Sequence, residues 1–397
     1  MLTRLRFKNW RSLRDVEIND LTPITVFIGA NSSGKTNIVD ALRFMRHSYT
    51  RGNKGILETI HRWEGRTNIQ TMGVSIDEPV ELEFSLQPPF DSTLLRQEIS
   101  IRFKGEYRPI ILSSKLYEGD TWIAGTQNLE LPLTEPTPLK VSTGNPLEKS
   151  YLQDFIAAFV SQRWQILGEN FVPSFSAQND RGISADSLYL LAYDGSNFPN
   201  VLSFIKNIRF DLFNELQEDL RWLLGHISSI ETYRTDYESR WLVKEKFHEE
   251  TFAPTISSGT ARLIAMLTAF YLLDMDMSPF ESQNPRMPEN LKVPIAHLPG
   301  LVVIEEADTA LNPGLLKRFV EQLRIYTSGE HPRQVFLTTH NPALLNLFEP
   351  EEVRVVERDE HGYTIVNQVP DHIRDIWLDE YGLGEVWMTR ALGGIPD

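Results

Sequence analysis

The stretch Gly29-Ala-Asn-Ser-Ser-Gly-Lys-Thr36 constrains this chain more than any other, because it fits the phosphate-binding loop pattern G-x-x-x-x-G-K-[ST] without a gap. An apolar run from Ile24 to Ile28 leads in, and a helical pattern through Ile38, Ala41, Leu42 and Met45 leads out. Strand, glycine-rich loop and helix in that order predict an α/β fold of the P-loop NTPase class. Gly29 and Gly34 free the backbone so that successive amides, with those of Asn31, Ser32 and Ser33, can curl around a phosphate at the positive end of a helix. Lys35 would reach the β- and γ-phosphates of ATP, and Thr36 would offer its hydroxyl to Mg²⁺.

A chain of 397 residues has room for two or three domains. No stretch is long and apolar enough to cross a membrane, and the arginine-rich start lacks a signal-peptide core, so a cytoplasmic protein without membrane contact is expected. The absence of cysteine excludes disulfides, cysteine-ligated zinc and thiol catalysis. A net charge of −15 argues against a surface that coats nucleic acid throughout. One basic stretch, Arg43, Arg46, His47, Arg51, Lys54, His61, Arg62 and Arg66, is a candidate DNA-contacting patch and equally a solvated helix face.

Alternating runs at the start, and again at Val80–Leu86, Ile99–Phe103, Ile110–Leu116 and around Trp122, predict an antiparallel sheet. Pro132 to Pro146 reads as a surface loop. Helical periodicity is read from Tyr151 to Leu167 and from Ser187 to Leu224, then strands at Ile227–Tyr233 and Trp241–Lys246. The last third predicts a helix at Thr260–Leu273, a loop near Ser278–Pro294, a strand at Leu301–Ile304, a helix at Gly314–Tyr326, a strand at Val335–Thr338 and a final strand pair. The expected organisation is a split nucleotide head, residues 1–70 and 251–397, around a mixed α+β insertion at 71–250.

Leu301-Val-Val-Ile-Glu305-Glu306 has the form of a buried strand ending in acids. Glu305 is expected on the metal side and Glu306 as general base. Thr338-Thr-His340-Asn341 puts an imidazole at the end of the next strand, where it can sense a terminal phosphate or the attacking water. Ile256-Ser257-Ser258-Gly259-Thr260-Ala-Arg262 opens a helix and reads in isolation as an N-cap.

These four pieces in this order resemble the ABC-type ATPase heads of the RecF, SMC and OLD group. Asn31 and Asn37 match that group's form of the P-loop, Phe7-Lys-Asn-Trp-Arg-Ser12 resembles its opening "NFRS" segment, and a weaker match falls at Asp194-Gly-Ser-Asn197. The resemblance implies that Arg11 approaches nucleotide phosphate and that Ser257, Ser258 and Gly259 of one subunit cap ATP held by another. It also implies a homodimer or higher oligomer closed by ATP, and makes Asp308 the candidate contact across the dimer. The glutamine of the group's Q-loop is left open among Gln87, Gln162 and Gln165. OLD-type nucleases add a TOPRIM domain, whose acidic, glycine-rich pattern is not seen after His340. Trp377, Tyr381 and Trp387 are expected to dock the tail on the head or a partner. The implied function is an ATPase that couples nucleotide state to DNA or to a separately encoded nuclease or toxin, in phage defence or genome maintenance. The alternative is a low-turnover ATP-binding scaffold that clamps a partner.

Overall fold

Charged and apolar residues alternate from Leu2 to Trp10, so one face of β1 (Leu2–Trp10) buries Leu5 and Phe7. The other pairs its cations with acids on neighbouring strands: Arg6 with Asp15 at 3.2 Å and Lys8 with Glu81 at 3.6 Å. β1 thus lies between β2 (Leu13–Ile18) and β4 (Val80–Leu86). The sheet continues through β5 (Leu95–Gly105), β6 (Arg108–Glu118) and β7 (Thr121–Glu130) in the order β2-β1-β4-β5-β6-β7, antiparallel throughout. The computed structural model describes residues 1–88, 92–130, 150–178, 190–246, 251–252, 256–275, 299–309, 311–329, 333–376 and 381–394. The expected loops at Pro132–Pro146 and Ser278–Pro294, and Trp377, lie outside the described residues.

The inner strands of the second sheet are apolar and buried on both faces, as parallel strands are. β3 (Ile24–Ile28) lies between β14 (Arg333–Thr339) and β15 (Val353–Arg358), and the order is β16-β15-β3-β14-β13-β8. β13 (Gly300–Ile304) and β8 (Trp164–Leu167) are parallel to β3, while β16 (Thr364–Gln368) closes the far edge antiparallel. A small third sheet holds β10 (Ile227–Arg234), β11 (Glu238–Glu245) and β12 (Thr251–Phe252), with β9 (Ser176–Gln178) on β11.

β8 corrects the reading of a helix through Leu167. The helix α2 (Ser150–Gln162) stops before Arg163, and Trp164–Leu167 pairs with Leu301–Ile304. Four apolar-rich residues carry no period that separates strand from helix, so the partner strand decides. The second helical reading is also divided. Residues 187–189 are not described, 190–197 form turns, and α3 (Phe198–Ile208) and α4 (Phe210–Leu224) break at Arg209. Both large sheets take strands from the 71–250 stretch, so sheet boundaries do not follow the sequence divisions at 70 and 250.

Around the parallel sheet run α1 (Lys35–Arg62), α5 (Ser258–Leu272), α6 (Pro313–Thr327), α7 (Pro342–Leu345), α8 (Asp371–Ile376) and α9 (Leu383–Met388). Trp10 fastens α1 to the first sheet: its indole N–H donates to Asn37 O at 2.9 Å, and its ring meets Phe44 and Trp63 edge-on. In the tail, Trp387 is buried while Tyr381 is 48% exposed.

Candidate nucleotide-binding site

α1 begins at Gly34, whose φ of 119° lies in the left-handed region, and no side chain caps it. Three other helices are capped by side chains: Ser257 Oγ accepts from Thr260 N, Asn312 from Gly314 N and Asn341 from Ala343 N. The free amides of α1, at the positive end of a 28-residue helix, therefore point into the loop they share with Asn31 to Ser33. A side chain at Gly34 has no room, since a Cβ would stand 2.1 Å from Thr364 Oγ1.

The loop is held from behind. Arg358 Nε donates to Ser32 O at 2.7 Å, Thr364 Oγ1 to Ser33 O at 2.8 Å, and Ala30 N to Gly394 O at 2.5 Å. Lys35 Nζ donates to Gly29 O at 2.7 Å and to Ala30 O at 3.0 Å. Burial lowers the Lys35 pKa, opposed by Glu306, Glu169 and Glu305.

β3, β13 and β14 are parallel neighbours, so their C-terminal ends deliver the P-loop, Glu305-Glu306 and His340 to one edge of the sheet. Glu305 is 1% exposed; its Oε2 accepts from Tyr193 Oη at 2.5 Å and from Glu169 N at 3.2 Å. Its Oε1 is buried without a hydrogen-bond partner. Burial raises its pKa, with the Tyr193 and Thr36 hydroxyls acting in the opposite direction. A buried carboxylate oxygen left over beside the Thr36 hydroxyl fits a divalent cation that arrives with phosphates. Among the described residues, no cluster of three or more His, Asp or Glu forms an all-protein metal site.

Glu306 adopts φ 48°, a strained value for a residue with a side chain. Its own N–H donates to Thr338 Oγ1 at 2.9 Å, and the next amide, Ala307 N, to Thr338 O at 3.1 Å, so β14 enforces the turn. The turn brings the Glu306 carboxylate to 2.6 Å from His340 Nδ1.

These groups line a cavity of about 580 Å³ with Asn31, Ser32, Gly34, Lys35, Thr36, Asn37, Glu306 and His340 on its wall. Gly29, Ser33 and Glu305 are not on that wall. Arg11 does not face this cavity. It donates to Asn68 O at 3.1 Å and to Asn37 Oδ1 at 3.4 Å, pairs with Asp40, and lines a neighbouring cavity of about 820 Å³ with Trp63 and Tyr363. Asn37 and Arg358 border both cavities. Ser257, Ser258 and Gly259 are not on the wall either. Ser257 caps its own helix, Ser258 is exposed and Gly259 is buried. Asp308 accepts from Thr339 Oγ1 at 2.5 Å within the same chain.

Sequence reasoning missed Glu169, Asn170, Thr309 and Arg358, which complete the wall. Glu169 and Asn170 follow β8, so an apolar run ending in Gly-Glu-Asn was the available signal. None of Gln87, Gln162 and Gln165 lines the cavity. Gln165 instead accepts from Leu191 N at 3.0 Å in the core. Arg262 ends the Ile256-to-Arg262 segment, where its residue type alone signals no role. Buried on α5, its guanidinium donates to Glu169 O at 2.8 Å, Phe171 O at 3.2 Å and Glu306 O at 3.3 Å, and to Glu305 O. It joins the helix opened by Ser258 to the acids of β13.

The basic stretch is divided as well. Arg46 is buried, Arg43 lies 3.8 Å from the Tyr193 ring centroid, and Arg66 pairs with Glu106 at 3.8 Å, whereas His61 and Arg62 are exposed. Arg43 and Arg46 therefore do not belong to a solvated patch.

Parallel strands that bring a P-loop, paired acids and a histidine to one sheet edge define a head of the ABC-type P-loop NTPase fold. The chain belongs to the AAA domain family described as "putative AbiEii toxin, Type IV TA system", whose model matches residues 24–346. An uncharacterised protein of Methanocaldococcus jannaschii is 46% identical over 43 residues, 11% of this chain and 13% of that protein. The DNA replication and repair protein RecF of Corynebacterium jeikeium is 32% identical over 74 residues, 19% of this chain and 17% of RecF. Both matches thus span less than a fifth of the relative. An Smc head bound to the C-terminal winged-helix domain of ScpA matches in fold with a TM-score of 0.53 at 13% identity, covering 94% of this chain and 99% of that one. The Smc head with an extended coiled coil from Pyrococcus furiosus, bound to the C-terminal domain of ScpA, gives 0.55 at 13% identity, covering 96% and 98%. Among the described residues no helix is long and apolar enough to cross a membrane.

Proposed function

We propose that this chain hydrolyses ATP in a site shared between two copies of itself, and that closing and opening of the pair act on DNA or on a separately encoded nuclease or toxin. The observation that carries the reading is the Glu306–His340 pair, 2.6 Å apart on the wall that also holds Lys35 and Thr36 of the P-loop. The open amides of α1 and the Lys35 ammonium hold the β- and γ-phosphates. Thr36 and Glu305 would hold Mg²⁺, which would supply positive charge to those phosphates. Glu306 takes the proton of the attacking water, and His340 orients that carboxylate until a terminal phosphate competes for the imidazole. The neighbouring cavity with Arg11, Trp63 and Tyr363 is suited to the ribose and base, because its border at Asn37 is continuous with the phosphate wall.

Exposure of Ser258 at the start of α5, away from its own P-loop wall, supports donation of this turn to the ATP of a second copy. ATP then favours the closed pair because it contacts both halves. The ScpA-bound Smc heads offer a precedent for a head that holds a protein partner. Phage defence and genome maintenance are the settings we favour, in the cytoplasm. A second reading is a slow ATP-binding clamp for a partner, favoured by His340 lying 2.6 Å from the Glu306 carboxylate, where it can hold that group away from water. Turnover separates the two: phosphate release with Mg²⁺ and ATP, lost in Glu306→Gln with nucleotide binding retained, supports the ATPase. No release in the wild type leaves the clamp.

A further inference from the structure

Tyr193 lies outside the P-loop, the acid pair and the histidine strand, yet its hydroxyl donates to Glu305 Oε2 at 2.5 Å. Arg43 of α1 lies 3.8 Å from the ring centroid on one side. Gly168 also packs against the ring, since a Cβ there would stand 2.4 Å from it. The backbone is equally fixed: Gly168 N donates to Tyr193 O at 3.1 Å, Val172 N to Asp194 O at 3.3 Å and Gly195 N to Ala192 O at 2.9 Å. Arg43 in turn lies 3.9 Å from Asp40, which also pairs with Arg11. A continuous line of contacts therefore runs from Arg11 through Asp40, Arg43 and Tyr193 to Glu305.

We infer that Tyr193 is a positioning residue for the metal-side acid: its phenol holds Glu305 Oε2, so that the unpartnered Oε1 is the oxygen presented to Mg²⁺. The inference rests on the ATPase reading above. A carboxylate with one oxygen fixed cannot rotate away from its cation, and loss of such an outer hydrogen bond weakens metal binding about 10- to 100-fold in well-built sites. Tyr193 also begins the turn that leads through Asn197 into α3, whose Phe198 ring packs on Trp241 of β11 at 5.1 Å. The metal acid is thereby tied to the helices and sheet beyond the nucleotide site.

The test is a Mg²⁺ titration of the binding of a fluorescent ATP analogue to the full chain. Tyr193→Phe keeps the ring under Arg43 and removes only the hydroxyl. Its Mg²⁺ midpoint should rise roughly ten-fold while affinity for the analogue without Mg²⁺ and the melting temperature stay near wild type. Arg43→Gln, which keeps the hydroxyl but loosens the ring, should shift the midpoint in the same direction by less, and it carries the test if Tyr193→Phe does not fold. A midpoint within two-fold of wild type in the folded variant overturns the inference. So does an equal loss of Mg²⁺-free affinity, which would mark Tyr193 as structural only. Absence of Mg²⁺-dependent binding in the wild type defeats the ATPase reading itself, and this inference falls with it.

Discussion

His340 Nδ1 lies 2.6 Å from a Glu306 carboxylate oxygen, and the two residues end adjacent parallel strands, β14 and β13. The imidazole is half exposed to the cavity while the carboxylate is largely covered. On the ATPase reading proposed above, His340 would face incoming phosphate and Glu306 the water to be activated.

Glu306→Gln should therefore lower ATP turnover by about 10²- to 10⁴-fold, the loss of a general base, with nucleotide affinity changed little. His340→Ala should cost less in turnover, because Glu306 remains, and should weaken the distinction between ATP and ADP. Phosphate release and parallel binding of the two nucleotides check both.

Glu305 provides a pH signature. Burial raises its folded-state pKa above the ordinary 4.5, so between those values the folded state holds a proton that the unfolded chain has lost. That contribution to stability is full below the unfolded pKa and is lost as pH rises through the folded one. Glu305→Gln should flatten this slope and raise the nucleotide-free melting temperature near neutral pH by about 2 °C, while abolishing stabilisation by Mg²⁺ with ATP. Melting curves from pH 4 to 8, with and without Mg²⁺ and ATP, decide it.

Arg262 donates to the carbonyls of Glu169 and Phe171 after β8 and of Glu305 and Glu306 after β13. Arg262→Ala leaves those carbonyls unpaired and should cost roughly 3–5 kcal/mol of stability, with Arg262→Lys recovering a minority of it because an ammonium cannot span the same acceptors. Denaturant unfolding of both variants measures this directly.

How far the sequence revealed this site depended on local signals. β3, the P-loop and α1 were readable because strand, glycine loop and helix are contiguous, and Leu301–Ile304 because four apolar residues run straight into acids. Trp164–Leu167 was not, since its strand character exists only beside Val302–Ile304, and with it went Glu169 and Asn170. Tyr193 and Arg262 were illegible for a related reason: each acts by reaching a residue more than forty positions away, at Glu305, or its backbone. Arg11 was recognised by its segment, but Asp40 and Trp63 decide where its guanidinium lies.

Ser258 is exposed on the first turn of a capped helix. Ser258→Arg should thus leave folding and ATP binding by a single copy intact while blocking approach of a second. Circular dichroism and nucleotide titration should match wild type, and turnover should fall with the loss of pairing.

The shared site is tested most directly by the mass of Glu306→Gln in solution, by light scattering with and without Mg²⁺ and ATP. A shared site requires a monomer without nucleotide, a dimer with it, and a return to monomer with nucleotide still bound when Ser258→Arg is added. A mass that ignores ATP, or a dimer that survives Ser258→Arg, would contradict it.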